Sequence, residues 1–319
     1  MTPENCYGVI SAEMFILNYN GRDILEECLP SLLAAGEAAG CPVTVIDNQS
    51  SDGSVEFLKN RFPEVGVQVT EENRVLCSFN KAVRRSRADV VFLLNNDLKA
   101  EPDFVRPLVK VFEKHPDAFL AGPKVFTFDG ERYEGSLAKM SFPFGFFRSE
   151  SRFPGHEGKI DKEGVTMQTG FGAYRREFFL KLGGFDDLYL PGTVEDSDIC
   201  FRAWKNGYRC YYEPKSQMYH KGQATFSRHF NRRRLLAINQ RNVYLFIWKN
   251  ISDPGLLASH LLWLLVRPLV FLLRGRFEFL WGLLWALRRL PAALKRRAAL
   301  PGREYKLSDR QVFAVSDGI

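Results

Sequence analysis

With 319 residues, 45% of them hydrophobic and 25% charged, the chain has the make-up of a globular protein large enough for one big domain with an appendage or for two modest ones. Its formal net charge of +7 invites an anionic partner, but the basic residues crowd after residue 228, as in 228-RHFNRRR-234, 288-RR-289 and 295-KRR-297. The first two-thirds show no basic and aromatic interleaving of a nucleic-acid reader, so no nucleic acid is expected as a partner.

The N-terminus, MTPENCYGVI, lacks a basic region followed by an apolar stretch, so secretion is not supported. The six cysteines (Cys6, Cys28, Cys41, Cys77, Cys200, Cys210) form no Cys-x-x-Cys pair and no cluster with His at zinc spacing. They fit reduced, mostly buried thiols of a cytosolic protein. Strands are predicted at 12-AEMFILNY-19, 42-PVTVID-47, 65-VGVQVT-70 and 89-DVVFLLN-95, and helices at 23–40, 52–62, 78–88 and 103–115. Strand and helix alternating at this spacing predict a parallel sheet covered by helices, an α/β fold. In open α/β sheets ligands gather at the carboxyl ends of strands. Three of these strands end in polar runs there: 18-NYNGRD-23, 47-DNQSSDGS-54 and 95-NND-97.

From about 130 to 165 the pattern dissolves into Gly, Pro and aromatics, with an irregular stretch around 141-SFPFGFFR-148 readable as a lid, a binding loop or disorder. Structure returns in 166-TMQTGFGAYRREFFLKLGGFDD-187, where Gly183 and Gly184 close a helix. The segment 194-VEDSDICFRAWKNG-207 reads as a helix with acids in its first turn, and 208-YRCYYEP-214 as a strand leading to 219-YHKG-222.

After residue 228 a long basic helix, 229–250, is followed by apolar runs at 256–273 and 277–290. The first run nears spanning length but contains His260, Arg267 and Pro268, and the second is too short to span. Helices lying in an anionic membrane interface are expected, with Trp263, Trp281 and Trp285 at headgroup depth. The competing reading is a helical subdomain packed on the core or on a second subunit.

A lone Asp after a strand is ordinarily a turn former, and a lone His is ordinarily structural. Here Asp47, Asp97, the pair Glu195 and Asp196, and His220 sit at strand ends and a helix start of one α/β sheet, so they are expected to converge on one cleft. Asp97 and His220 offer an oxygen and an imidazole to a divalent cation, Mg²⁺ or Mn²⁺, of the kind that holds a nucleotide diphosphate.

The set 47-DNQSSDGS-54, 93-LLNNDL-98, 169-TGFGAYRREFF-179, 183-GGFDD-187, 194-VEDSDICFRAWKNGYR-209 and 219-YHKG-222 resembles the family 2 glycosyltransferases. More narrowly it resembles their bacterial rhamnosyltransferase-like members, which build cell-surface polysaccharide. The resemblance implies a GT-A fold, a Rossmann-like mixed sheet flanked by helices. The catalytic domain would span 1–228, with a donor half to about 125 and an acceptor half beyond it. Residues 229–319 would form a membrane-associated helical extension, placing the protein in the cytoplasm, peripheral on the inner face of the cell membrane. It implies donor contacts from Asn18, Asp47, Asp52, Asn95, Asn96 and Asp97, with Asp47 on the base and Asn95 standing where the fuller motif has its first acid. It implies a metal held by Asp97 and His220, a catalytic base at Asp196 with Glu195 beside it, and backbone approach to the acceptor at Gly170 and Gly172. For Asp52 a helix N-cap, and for the two glycines a packing turn, are equally open readings.

The function implied is inverting, metal-dependent transfer of a sugar such as rhamnose from a nucleoside-diphosphate sugar to a glycan or a polyprenyl-diphosphate-linked acceptor. A processive synthase would carry several clear membrane spans and a Q-x-x-R-W motif, where this chain has 240-QRNVY-244. A nucleotidyltransferase would carry a Gly-rich phosphate loop at the first strand, where this chain reads 16-ILNYNGRD-23. A non-catalytic membrane adaptor that kept the fold stays as the reading from another class.

Overall fold

The computed structural model describes residues 10–222, 231–299 and 305–319; Cys6 and the start of the 228–234 basic run lie outside them. The sequence alternation becomes β1 (Ala12–Asn18), α1 (Arg22–Ala39), β2 (Val43–Asp47), α2 (Ser54–Arg61), β3 (Gly66–Val69), α3 (Phe79–Arg85), β4 (Val90–Asn95), β5 (Leu98–Ala100) and α4 (Val105–Lys114). The expected elements are present with ends shifted by a few residues, and a single 3-10 turn, Val75–Ser78, leads into α3.

There follow β6 (Ala118–Thr127), β7 (Tyr133–Gly135), β8 (Lys139–Ser141), β9 (Arg148–Glu150), β10 (Gly164–Val165), β11 (Gly172–Arg175), α5 (Arg176–Lys181), α6 (Glu195–Lys205) and β12 (Arg209–His220). The main sheet runs β10-β12-β6-β11-β4-β1-β2-β3, with β5 on β12 and β7 on β6. Strands β3, β2, β1 and β4 are parallel, and β11 enters antiparallel between β4 and β6. The sheet is therefore mixed, and β4, shielded on both faces, has the unbroken apolar run such a strand needs. In the 166–187 stretch, β11 precedes the short α5, the helix that Gly183 and Gly184 follow. Strand β12 is longer than the 208–214 segment because a register shift between Glu213 and Gln217 carries it past Pro214, which cannot donate to a ladder.

The C-terminal region forms α7 (Arg232–Asn250), α8 (Pro254–Leu273), α9 (Phe277–Ala299) and α10 (Asp309–Val315). Side chains cap three of them: Asn231 accepts from Arg234 N, Asp253 from Leu256 N, and Ser308 with Gln311 makes a capping box. The expected basic helix at 229–250 is correct in place but not in character. Its Tyr244, Leu245, Phe246 and Ile247 are buried in the same core as β1, β4 and α6. Helix α9 runs along α7 so closely that a Cβ on Gly282 would meet Ala237 O at 2.8 Å.

The aromatic stretch 141–148 is no lid. Phe147 stacks on Phe246 with centroids 4.0 Å apart, Phe146 packs on Tyr244 and His260, and Phe142 on Phe313. These rings cement the C-terminal helices to the rest of the chain. Helix α8 is the opposite of buried. It is long and apolar enough to cross a membrane by length and composition, with 6% of its most apolar window buried. Leu261, Leu262, Leu265, Val266, Leu269 and Val270 are exposed along one side. The polar residues that argued against spanning face the protein instead: His260 is buried against Gly145 O and Trp248 Nε1, and the Arg267 guanidinium lies 3.8 Å from the Phe146 ring centroid. Of the three tryptophans, Trp281 is exposed, while Trp263 packs edge-on against Phe144 and Trp285 is half-buried.

Candidate active site

Parallel pairing puts the ends of β1, β2 and β4 level: Asn18 lies opposite Asp47, and Leu17 opposite Asn95. Behind these ends sits a dry polar knot. Asn18 Nδ2 donates to Asp47 Oδ2 at 2.8 Å, Asn96 Nδ2 donates to Asn18 Oδ1 at 2.7 Å, and Ser50 gives Asp47 both its backbone N–H and its hydroxyl, at 2.8 and 2.7 Å. A carboxylate so fully engaged is satisfied without a ligand.

Beside the knot lies a cavity of about 1260 Å³ whose lining includes Asn95, Asn96, Asp97, Gly170, Glu195, Asp196 and His220. Asp97 and His220 meet because β5 and β12 pair antiparallel, placing His220 opposite Leu98. His220 Nε2 stands 3.4 Å from Asp97 Oδ2, and its Nδ1 stands 3.3 Å from Glu134 Oε2. Burial lowers the imidazole pKa, but the Asp97 and Glu134 carboxylates outweigh it and hold His220 above its ordinary value. Asp97 Oδ1 is buried with no partner.

Elsewhere on the cavity lining, the chain passes through Gly192 (φ 138°), Thr193 (φ 73°) and Val194 (φ 74°) straight into the first turn of α6. There Asp196 Oδ1 accepts from Ser197 N at 2.8 Å, and a Cβ on Gly170 would lie 3.6 Å from Asp196 Oδ2. Burial raises the Asp196 carboxyl. Burial and the adjacent Asp196 charge push Glu195 to about 8, and its Oε2 is buried without a partner. The two carboxyls sit side by side and burial raises both, Glu195 with the added charge of its neighbour.

The structure thus brings Asn95, Asn96, Asp97, Gly170, Glu195, Asp196 and His220 together and leaves four predicted residues out. Asn18 and Asp47 belong to the knot behind the cavity. Asp52 accepts from Arg22 N at 2.9 Å and Ser54 N at 3.1 Å, tying the starts of α1 and α2 together, while the N-cap positions themselves are Gly21 and Gly53. Gly172 (φ 154°) is squeezed into the sheet, where a Cβ would meet Ala121 O at 2.6 Å, so its missing side chain serves strand packing and not an acceptor.

Sequence reasoning missed Asp198, which is fully buried and accepts from Arg202 Nε (2.8 Å), Lys249 Nζ (2.8 and 2.9 Å), Asn250 Nδ2 (2.7 Å) and Tyr189 OH (2.7 Å). Burial works against its charge, but the Arg202 and Lys249 cations prevail and hold it far below the usual carboxylate range. The i,i+4 spacing of Asp198 and Arg202 was the available signal. Arg232, Leu235, Leu236 and Asn239 of α7 also line the cavity, and nothing in their pattern announced it.

The model of glycosyl transferase family 2 matches residues 14–183, more than half of the chain. The chain is a family 2 glycosyltransferase. This glycosyltransferase is 25% identical, over 56% of its own length and 58% of the relative's, to a glucosyl-dolichyl phosphate glucuronosyltransferase of Haloferax volcanii (strain ATCC 29605). The first curated relatives are matched over 36%, 17% and 58% of their own lengths, so the chain spans less than two-thirds of each. Its fold is that of S. aureus TarS 1-349 in complex with UDP-GlcNAc (TM-score 0.59, 17% identity, covering 91% of this chain and 83% of that one). It is also that of the mannosyltransferase PcManGT from Pyrobaculum calidifontis in complex with GDP-Man and Mn2+ (TM-score 0.54, 16% identity, covering 98% and 80%). The GT-A architecture expected from the resemblance is therefore the architecture present.

Proposed function

We propose that this glycosyltransferase moves a sugar, with inversion and with the help of a divalent cation, from a nucleoside diphosphate to a hydroxyl of a glycan or polyprenyl-diphosphate-linked acceptor in cell-surface polysaccharide synthesis. The observation that carries the reading is one cavity whose lining holds both the orphaned Asp97 oxygen beside His220 and the Asp196 carboxyl.

Among the described residues no three His, Cys, Asp or Glu side chains form a complete ion cage. The residues present nonetheless fit a cation shared with a diphosphate. Such a cation takes one or two protein ligands and fills the rest from phosphate and water, and two neighbouring ligands about 2.1 Å from an octahedral ion lie about 3.0 Å apart. Asp97 and His220, 3.4 Å apart, are close to that spacing, and the imidazole favours Mn²⁺ over Mg²⁺. A bound cation would neutralise the charge that develops on the leaving diphosphate. Glu134, on the far ring nitrogen, orients the imidazole. Asn95 and Asn96 face the same end and supply neutral hydrogen-bonding groups to the nucleotide.

Asp196 accepts the proton of the acceptor hydroxyl as that oxygen bonds to the anomeric carbon and the bond from that carbon to the diphosphate oxygen breaks. One such displacement inverts the anomeric centre through an oxocarbenium-like transition state. The resemblance names rhamnose, carried on thymidine diphosphate, as the sugar to try first. The apolar side of α8 and the exposed Arg274, Arg276, Arg288 and Lys295 beside it support docking on the anionic inner face of the cell membrane.

A thermal-shift panel of UDP, dTDP, GDP and ADP, with and without Mn²⁺, tests the site. A diphosphate at 100 times its dissociation constant stabilises by about 2.7 kcal/mol. The expected result is one base that stabilises only with metal, an effect lost in Asp97→Ala. Stabilisation by none of them moves the adaptor reading to the front.

A further inference from the structure

The chain that delivers Glu195 and Asp196 to the cavity does not hold itself. Thr193 and Val194 are β-branched, and both adopt positive φ (73° and 74°) just after Gly192 (φ 138°), a backbone that such side chains resist. Val194 is also where α6 begins, and Asp198 N hangs on its carbonyl at 2.8 Å. Any relaxation at Val194 therefore turns the first helical turn and swings Asp196 with it.

What opposes relaxation comes from α7. Asn242, fully buried, directs its side-chain amide at the carbonyls of Gly192 (2.6 Å), Tyr189 (2.7 Å) and Thr193 (2.9 Å), with the Thr193 hydroxyl at 3.2 Å. Its own oxygen accepts from Arg241 Nε at 2.9 Å, which fixes the amide the right way round, and Arg241 Nη2 reaches Leu190 O at 2.6 Å and Tyr189 O at 3.1 Å. Among the described residues, Asn242 is the side chain that donates to the carbonyls of Gly192 and Thr193. Two N–H groups in a plane, shared over three carbonyls of one tight turn, call for a short amide. Aspartate has no donor there, and glutamine would be one methylene too long.

We infer that Asn242, outside the cavity, is the positioning residue that holds the Gly192–Val194 turn in its left-handed backbone and so aims Asp196 at the acceptor hydroxyl. It touches neither substrate and acts through the turn. The inference rests on Asp196 being the base.

The test compares turnover with donor binding in the full chain. Diphosphate release is followed from dTDP-rhamnose, UDP-GlcNAc and GDP-mannose, and the donor that turns over fastest is kept; the dissociation constant of its nucleoside diphosphate with Mn²⁺ is measured in parallel. In Asn242→Ala, kcat should fall roughly 10- to 100-fold, the cost of a catalytic group misplaced by about an ångström, while the diphosphate binds within about twofold of wild type. Adding Val194→Gly should recover part of the lost kcat, because glycine enters the left-handed region without being held there. A general loosening of the fold would be worsened by that second change. If Asn242→Ala does not fold, Asn242→Gln carries the same prediction.

Wild-type kcat in a folded Asn242 variant, or diphosphate binding lost in step with kcat, or no recovery with Val194→Gly, each overturns the inference. The control Asp196→Asn separates the two claims. If it is inactive while Asn242→Ala is fully active, only the positioning role falls; if Asp196→Asn keeps its turnover, the base assignment falls first.

Discussion

Glu195 and Asp196 are adjacent in sequence, and burial raises both carboxyls. Glu195, raised from 4.5 to about 8, holds its proton when folded and loses it when unfolded throughout the interval between those values. The folded state binds the extra proton there, so this group's contribution to stability is complete below about pH 4.5 and declines as pH rises to 8. Glu195→Gln should match wild type in melting temperature at about pH 4 and exceed it increasingly up to about pH 8. Parallel melting curves across that range would mean that the carboxyl is ionised in the fold and that both acids carry charge. Activity separates the pair further, since Asp196→Asn should keep diphosphate binding and lose transfer. The sequence pointed to the acidic pair, Asp97 and His220 because their chemistry lies at the ends of periodic segments. It could not tell that Asp47 and Asp52 spend their oxygens on neighbouring backbone and hydroxyl groups. A polar residue satisfied by the protein and one awaiting a ligand look the same until their partners are seen.

Between elements, the joint of α6 and α7 is made by charge. Asp198 of α6 receives Lys249 and Asn250 of α7 and Arg202 of its own helix in a site from which water is excluded. Removing one member of such a group strands the others without compensation. Asp198→Ala should cost roughly 3–5 kcal/mol in urea unfolding, and adding Lys249→Met should return part of it by removing a stranded cation. A loss below about 1 kcal/mol, the range of an exposed pair, would show that water reaches the joint. The long elements were legible because period-2 and period-3.6 patterns persist over enough residues to be read. Strands β5 and β7 to β11 were not. With two to four residues each they carry no period, and their pairing is dictated by partners far away in the chain. The aromatic stretch 141–148 was misassigned for a related reason. Its rings are cementing groups whose counterparts, Tyr244, Phe246, His260 and Phe313, lie about a hundred residues or more downstream.

Across the whole molecule, apolar surface left outside the core is concentrated on α8 and the outward side of α9, where Phe277, Trp281, Leu284 and Leu287 continue the exposed row. A contiguous apolar strip bordered by arginine and lysine fits a lipid surface with negative headgroups. The protein should float with vesicles containing phosphatidylglycerol, bind less as salt rises, and lose flotation in Leu265→Glu with Leu269→Glu. Equal binding to vesicles of phosphatidylcholine alone would remove the charge from the account, and no flotation at all would remove the membrane.

Gly282, where α9 meets the backbone of α7, gives the architecture a further meaning. With Ala237 O 2.8 Å, Gln240 Cβ 2.9 Å and Arg241 N 3.2 Å from where a methyl would be, the α9 backbone lies directly against α7 beside Arg241 and Asn242. The outward helices are thus keyed, like a tooth in a rack, to the helix that grips the Gly192–Val194 turn. They are not a cargo tag that can be cut off and fused to another transferase. Exchanging them would require exchanging α7 as well, and with it Arg232, Leu235, Leu236 and Asn239, which line the cavity, so the exposed apolar helices and part of the cavity lining are inherited together.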